Sequence, residues 1–230
     1  MKKILGIIPA RGGSKGIPRK NIADVNGKPL LAYTIEAALR SKYINMVAVS
    51  SDDKEILKIA KKFGAESISR PPKWAQDDSP NEPVIFHALQ WLKKNRSYVP
   101  DIIVYLLPTS PLRTWKDIDA SITLLLQKKA HAVVGVHEIS RTYLKTFIIN
   151  QGGWIQAAVR RSYPITARQK LPNVYLANGA IFAVVREIFT KYGSLLPPSR
   201  IVPFVTDETR SIDIDTPDDL QRVRVIMGKS

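Results

Sequence analysis

Apolar positions along the 230-residue chain fall into short unbroken runs that take turns with stretches of helical period. Positions 4–8, ILGII, form a run without alternation, the pattern of a strand buried on both faces. After Pro29, which suits a first helical turn, Leu30, Ile35, Ala38 and Leu39 make a helical stripe. A strand is expected over 46–49, a helix over 54–63 ended by Gly64 as a left-handed cap, and a short strand over 65–69. The rhythm continues with a helix over 84–92, a strand over 102–107, and a helix to about 126 that opens on the capping box Thr114-x-x-Asp117. Strands follow at 132–136, 180–184 and 201–205, and the last helix spans 218–227 with Thr216 as its N-cap.

Strands alternating with helices imply an α/β protein built on a mostly parallel sheet covered on both faces, in three layers. Ligands of such sheets collect at the carboxyl ends of the strands. The rule puts residues 9–21, 50–53 and 108–113 on one rim. Between 138 and 177 the alternation stops: a hairpin is expected across Gly152-Gly153, then a stretch of weak period. The whole chain, 1–230, reads as one domain, with 138–177 inserted into it as an arm.

The charge sharpens this outline. The formal net charge is +15, unevenly spread: residues 1–42 hold nine Lys or Arg against Asp24 and Glu36, and no acid lies between Glu138 and Glu187. Such fields suit anionic partners. No apolar run approaches membrane-spanning length, Pro9 and Arg11 interrupt the first apolar stretch, and there are no cysteines. A cytoplasmic protein without a membrane partner is expected.

Two stretches carry candidate chemistry. "IIPARGGSKGIPRKNI", residues 7–22, runs from a strand into a glycine turn set with Arg11, Lys15, Arg19 and Lys20. It is neither a Walker A loop nor GxGxxG, yet its backbone N–H groups and cations suit phosphate oxygens, with Gly12 and Gly13 permitting close approach. In "SIDIDTPDDL", residues 211–220, Asp213 and Asp215 share one side of an extended segment, a pair suited to a hard cation such as Mg²⁺. "LLPTSPLR", residues 106–113, frames Thr109 and Ser110 with prolines at a strand end; alone it is a rigid turn.

With "VSSDD" (49–53) and "RQKLPNVYLANGAIF" (168–182), these motifs resemble the acylneuraminate cytidylyltransferase family, in its order and from about residue 4 to 227. The resemblance implies a Rossmann-like nucleotidyltransferase sheet with a small dimerisation arm. It implies an enzyme that joins CMP from CTP to the anomeric 2-hydroxyl of an acidic nonulosonate, releasing pyrophosphate. It further implies Arg11, Lys20 and Asp215 as catalytic residues. Nucleotide binding falls to Ala10, Arg11, Gly12, Gly13, Lys15, Lys20, Asn21 and Ser79. Asp213 and Asp215 would hold Mg²⁺, with the sugar hydroxyl activated by the metal rather than by a dedicated side-chain base. Sugar binding falls to Leu107, Thr109, Ser110, Arg113, Lys145, Arg168, Gln169, Asn178 and Gly179.

One position departs from the family pattern: Leu107 stands where relatives commonly have Gln, so the acceptor is open among sialic, legionaminic and pseudaminic acids. The "NGAIF" at 178–182 looks closer to the sialic and legionaminic type. The alternatives are another sugar nucleotidyltransferase, including one activating 3-deoxy-octulosonate, and a nucleic-acid-binding module. The second is disfavoured because Trp74, Trp91, Trp115 and Trp154 form no basic-aromatic repeat. A homodimer is expected through the arm, with Tyr143, Phe147, Trp154 and Tyr163 at the interface. His87 and His131 read as structural.

Overall fold

The apolar run at 4–8 becomes the middle of the sheet. The protein is described from a computed structural model over residues 2–76 and 79–228. In chain order its elements are β1 (Ile4–Pro9), β2 (Asp24–Val25), β3 (Lys28–Pro29), α1 (Leu30–Leu39), β4 (Met46–Ser51), α2 (Lys54–Lys62) and β5 (Glu66–Ser69). Then come α3 (Asn81–Arg96), β6 (Ile102–Tyr105), α4 (Trp115–Gln127), β7 (Ala132–Ile139), β8 (Phe147–Ile149), β9 (Ile155–Ala157), β10 (Val174–Val185), α5 (Arg186–Tyr192), β11 (Ile201–Val205) and α6 (Pro217–Gly228).

Seven strands form one sheet in the order β11-β7-β10-β6-β1-β4-β5. Every neighbouring pair is parallel except those of β10, which runs antiparallel to both β6 and β7. Within β1, Ile4 and Ile8 pack toward α1, α2 and α4, whereas Leu5 and Ile7 pack toward α3 and α5. Those helix sets form the two outer layers, so the expected three-layer α/β architecture is present. β4 and β6 flank β1 on opposite sides, so the chain order reverses there and leaves a crevice at the carboxyl end of β1.

A smaller apolar cluster does the work of assembling the rim. Leu220 and Val223 of α6 pack with Ile17 of the basic loop and with Ile212 and Ile214 of the aspartate segment. Burying these side chains contributes roughly 1.5–3 kcal/mol each. Thr216 and Asp219 form the expected cap: the Asp219 carboxylate accepts from the Thr216 N–H at 2.9 Å and the Asp219 N–H donates to the Thr216 hydroxyl at 3.3 Å. Sequence ends that lie about two hundred residues apart are thereby held at one edge.

Between β7 and β10 the chain leaves the sheet. Residues 140–173 hold a hairpin in which Ile149 pairs with Ile155 across a turn closed on Asn150, whose side chain accepts from the Gly152 and Trp154 N–H groups. The sheet claims more than the arm's expected bounds allow, because Val174, Tyr175 and Leu176 already pair with Ile139, Glu138 and His137. β10 is accordingly longer than the strand expected at 180–184. Its register shifts between Ala177 and Phe182, where Gly179 takes a φ of +69°.

Candidate active site

β1 ends at Pro9, and the loop that follows is pinned from three sides. The Gly12 N–H donates to Asp52 at 3.1 Å, the Asn21 amide donates to the Arg11 carbonyl at 2.9 Å, and Arg19 pairs with Asp53 at 2.9 Å and Glu55 at 2.7 Å. Asp53 is also the N-cap of α2, so the loop is fastened to a helix terminus. Arg19 is thereby spent on structure. At the far end, a Cβ on Gly16 would sit 2.3 Å from the Asp215 carbonyl oxygen, so the loop's backbone lies directly against the aspartate segment.

Loop, rim and aspartate segment enclose a cleft of about 460 Å³. Arg11, Lys15, Lys20 and Arg70 bring four cations to its lining, against Asp215 as the one carboxylate among the described lining residues. Trp74, Val84, Tyr105 and Leu107 give it an apolar side, and Asn21, Gln76, Ser79, Asn81 and Thr109 add neutral polar groups. Tyr105 is buried at the base of this wall, donating to Asn81 at 2.7 Å, and burial pushes its phenol well above the usual range. Arg70 is 6% exposed, and its Nε takes no hydrogen-bond partner among the described residues. Desolvation lowers its guanidinium pKa, and Asp52 opposes that fall. A buried cation with an unspent donor is prepared for an anionic or carbonyl oxygen.

Lys20 crosses to the aspartate segment, donating to the Ile214 carbonyl at 2.5 Å and to Asp215 Oδ1 at 2.9 Å. Desolvation raises the Asp213 carboxyl above the ordinary aspartate value, with Thr109 opposing the rise and Asp215 adding to it more weakly. The Asp215 carboxylate and the Ile214 carbonyl, with the Lys20 ammonium seated on them and the Asp213 carboxylate two residues before Asp215, are an oxygen donor set with a cation already attracted to it. The set fits a magnesium ion that completes its shell with phosphate oxygens and water. It does not make an all-protein cage, because no group of three or more metal-ligating side chains occurs among the described residues.

The sequence matches the cytidylyltransferase family model over residues 5–184. It is 31% identical to the pseudaminic acid cytidylyltransferase of Campylobacter jejuni over 97% of this chain and 96% of that one. The chain belongs to the cytidylyltransferase family. It is 29% identical to the N-acylneuraminate cytidylyltransferase of Escherichia coli over 99% of this chain, which spans about half (52%) of that relative. In fold it is similar to a CMP:2-keto-3-deoxy-manno-octonic acid synthetase complexed with CTP, with a TM-score of 0.72 at 21% identity over 99% of both chains. The leaning away from the pseudaminic type that "NGAIF" suggested gains no support from these identities, since the chain is also 31% identical to the CMP-N,N'-diacetyllegionaminic acid synthase of Legionella pneumophila. Asn178 and Gly179 of that motif are used to turn β10, a backbone task that carries no information about the sugar.

Among the residues expected to serve a cytidylyltransferase, Arg11, Lys15, Lys20, Asn21, Ser79, Leu107, Thr109 and Asp215 line the cleft together. Ala10 is buried behind the loop, Gly12 packs on Asp53, and Gly13 faces open space beside the cleft. Gly179 and Ser110 are packed beside Leu107 and Asp213 without lining it. Two residues expected to bind the sugar are buried and bonded within the fold. Arg113, 4% exposed, donates to the Leu107 and Ala180 carbonyls and to Thr34, and burial lowers its pKa to about 10. Asn178, also 4% exposed, donates to Thr206 and Ser211 and accepts from the Ala180 N–H. Lys145, Arg168 and Gln169 sit on the arm and do not line this chain's own cleft. Arg70, Trp74, Asn81, Tyr105 and Gly16 were not anticipated. Gly16, a third glycine in the basic loop, and Trp74, weighed only as a base stacker in a nucleic-acid module, carried a signal in the sequence.

Proposed function

We propose that this cytidylyltransferase transfers CMP from CTP to the anomeric 2-hydroxyl of an acidic nonulosonate. The observation that carries the reading is the Lys20–Asp215 pair set in a cleft lined by three further cations, a charge pattern suited to a triphosphate with its divalent ion. The 2-hydroxyl oxygen bonds to the α-phosphorus, and the bond from that phosphorus to the α–β bridging oxygen breaks. Pyrophosphate leaves with the electron pair, and the hydroxyl proton passes to water. Arg11, Lys15 and Lys20 neutralise charge growing on the leaving group. Asn21 holds the Arg11 carbonyl and so the loop's shape, while Arg70, Trp74 and Ser79 receive the nucleoside. Mg²⁺ held by Asp213 and Asp215 would supply charge neutralisation and orientation to the phosphates.

Leu107 and Thr109, at the end of β6, face the acceptor. Leu107 gives that wall an apolar surface, which favours a sugar presenting a methyl or acyl group there over one presenting a hydroxyl. Pseudaminic, legionaminic and N-acetylneuraminic acids are the acceptors to compare. Pyrophosphate release with CTP and Mg²⁺ against these three and 3-deoxy-octulosonate tests the reading. Release with a nonulosonate and formation of its CMP conjugate supports it, and no release across the panel would sink it.

The homodimer remains part of this proposal. Tyr143, Phe147, Ile149, Trp154 and Ile155 form an exposed apolar surface on the arm, Trp154 being 74% exposed. Covering it with a second copy would also bring Lys145 and Arg168 toward a neighbouring cleft. A fully active monomer in sedimentation, with activity independent of protein concentration, would reject this assembly.

A further inference from the structure

His87 lies on α3, three residues beyond Val84, which lines the cleft. Its imidazole packs on the Trp74 indole with ring centroids 5.1 Å apart and planes at 57°. Its Nδ1 is buried and takes no hydrogen-bond partner among the described residues. Trp74 and Arg70 line the cleft, whereas His87 does not. Among the described residues the buried Nδ1 thus has no polar partner to explain it, and the ring's contact is with the Trp74 indole.

We propose that His87 is a positioning residue for the nucleotide: its neutral ring props Trp74 and leaves the Arg70 guanidinium turned to the cleft. This rests on the cleft being the CTP site. Among the described residues, each element around the ring agrees with a neutral state. Arg70, following β5, is the charge that bears on it. The Lys73 ammonium lies over the Trp74 indole, 4.8 Å from its centroid. On α3 itself the residues at three- and four-residue spacing, Pro83, Val84, Gln90 and Trp91, carry no charge. Burial, and secondarily Arg70, lower the His87 pKa below its ordinary value. Protonation on the acid side sets a like charge beside Arg70 and loosens the wall. Nucleotide affinity through this group is therefore full at neutral pH and falls as pH drops through the lowered pKa.

The test pairs tryptophan fluorescence of the protein alone with CTP affinity, both followed from neutral to acid pH. An imidazolium quenches an indole in contact with it, so the wild type should show a quenching step that both His87→Phe and Trp74→Phe remove. His87→Phe, which keeps a ring against Trp74, should hold neutral-pH affinity for CTP and flatten its acid limb, the nucleotide's own titration being common to both proteins. His87→Ala should weaken CTP binding about three- to tenfold, the scale of one lost aromatic contact, with kcat at saturating CTP little changed. Unchanged affinity in His87→Ala, or an acid limb in His87→Phe matching the wild type, overturns the role. Wild-type protein that shows the quenching step but binds no CTP overturns the reading of the cleft together with it.

Discussion

Lys20 Nζ lies 2.9 Å from Asp215 Oδ1, a contact between residues 195 apart in the sequence that joins the basic loop to the aspartate segment. Lys20 is largely buried while the Asp215 side chain is 74% exposed, so the pair has a fixed cation and an accessible anion. Phosphates entering the cleft meet the ammonium, and a divalent ion arriving with them meets the carboxylate. Lys20→Met is expected to lower kcat for pyrophosphate release by about 10²–10³-fold, the scale of one lost donor to a charged transition state. Asp215→Asn should lose more activity at low Mg²⁺ than at high Mg²⁺. A Lys20→Met enzyme that turns over at the wild-type rate would remove Lys20 from catalysis.

Gly16 and Gly13 are separated by their surroundings rather than by their spacing. An alanine Cβ at Gly16 would meet the Asp215 carbonyl oxygen at 2.3 Å, and neither backbone can yield without parting loop from aspartate segment. Gly16→Ala should therefore cost about 10²-fold in kcat/KM, as displacements near 1 Å do. Gly13 has no protein atom within 4 Å of such a Cβ, so Gly13→Ala should leave Tm unchanged and raise KM for CTP. Equal kinetics for the two variants would show that the loop's fit against Asp215 does not matter.

What the sequence disclosed follows from how local each signal is. The capping boxes at Thr114–Asp117 and Thr216–Asp219 form as read because both partners lie within one helical turn. The Gly64 stop after α2 is equally local, with a φ of +88°. α5 was not anticipated: it starts straight from β10 at Val185, with no side-chain cap to mark it. In the site, clustered cations and alternating aspartates were legible as motifs. Arg70 was not, since one arginine before Pro71-Pro72 reads as a solvated turn until tertiary packing buries it. Arg113 is the opposite case: its motif suggested a ligand contact, and its guanidinium is buried, donating to the Leu107 and Ala180 carbonyls and to Thr34.

Asp213 should cost the free protein stability. Its folded pKa is raised, chiefly by desolvation, so the contribution tied to its protonated form is full below the ordinary aspartate value and lost as pH rises through the folded one. At neutral pH the ionised group is thus a burden on the fold. Asp213→Asn should raise Tm by about 2 °C in EDTA at neutral pH. The gain should shrink toward acid, and activity should fall. A Tm gain that does not vary with pH would exclude ionisation as its cause.

Arg113 is expected to matter for the fold and not for the choice of sugar. Its guanidinium satisfies the Leu107 carbonyl at 3.1 Å, the Ala180 carbonyl at 2.8 Å and the Thr34 hydroxyl at 2.7 Å, tying β6, β10 and α1 at one buried point. Lysine has no planar fork to meet three such acceptors, so Arg113→Lys should be nearly as damaging as Arg113→Ala. The alanine variant leaves a cavity and unsatisfied acceptors, a loss of about 3 kcal/mol, or a Tm lower by roughly 10 °C. Activity remaining below that Tm should rank the acidic sugars as the wild type does. Leu107→Gln should do the opposite, shifting that ranking while leaving Tm and KM for CTP nearly unchanged. If Arg113→Lys keeps its Tm and reorders the sugars, Arg113 touches the acceptor, and the turn is held together by something else.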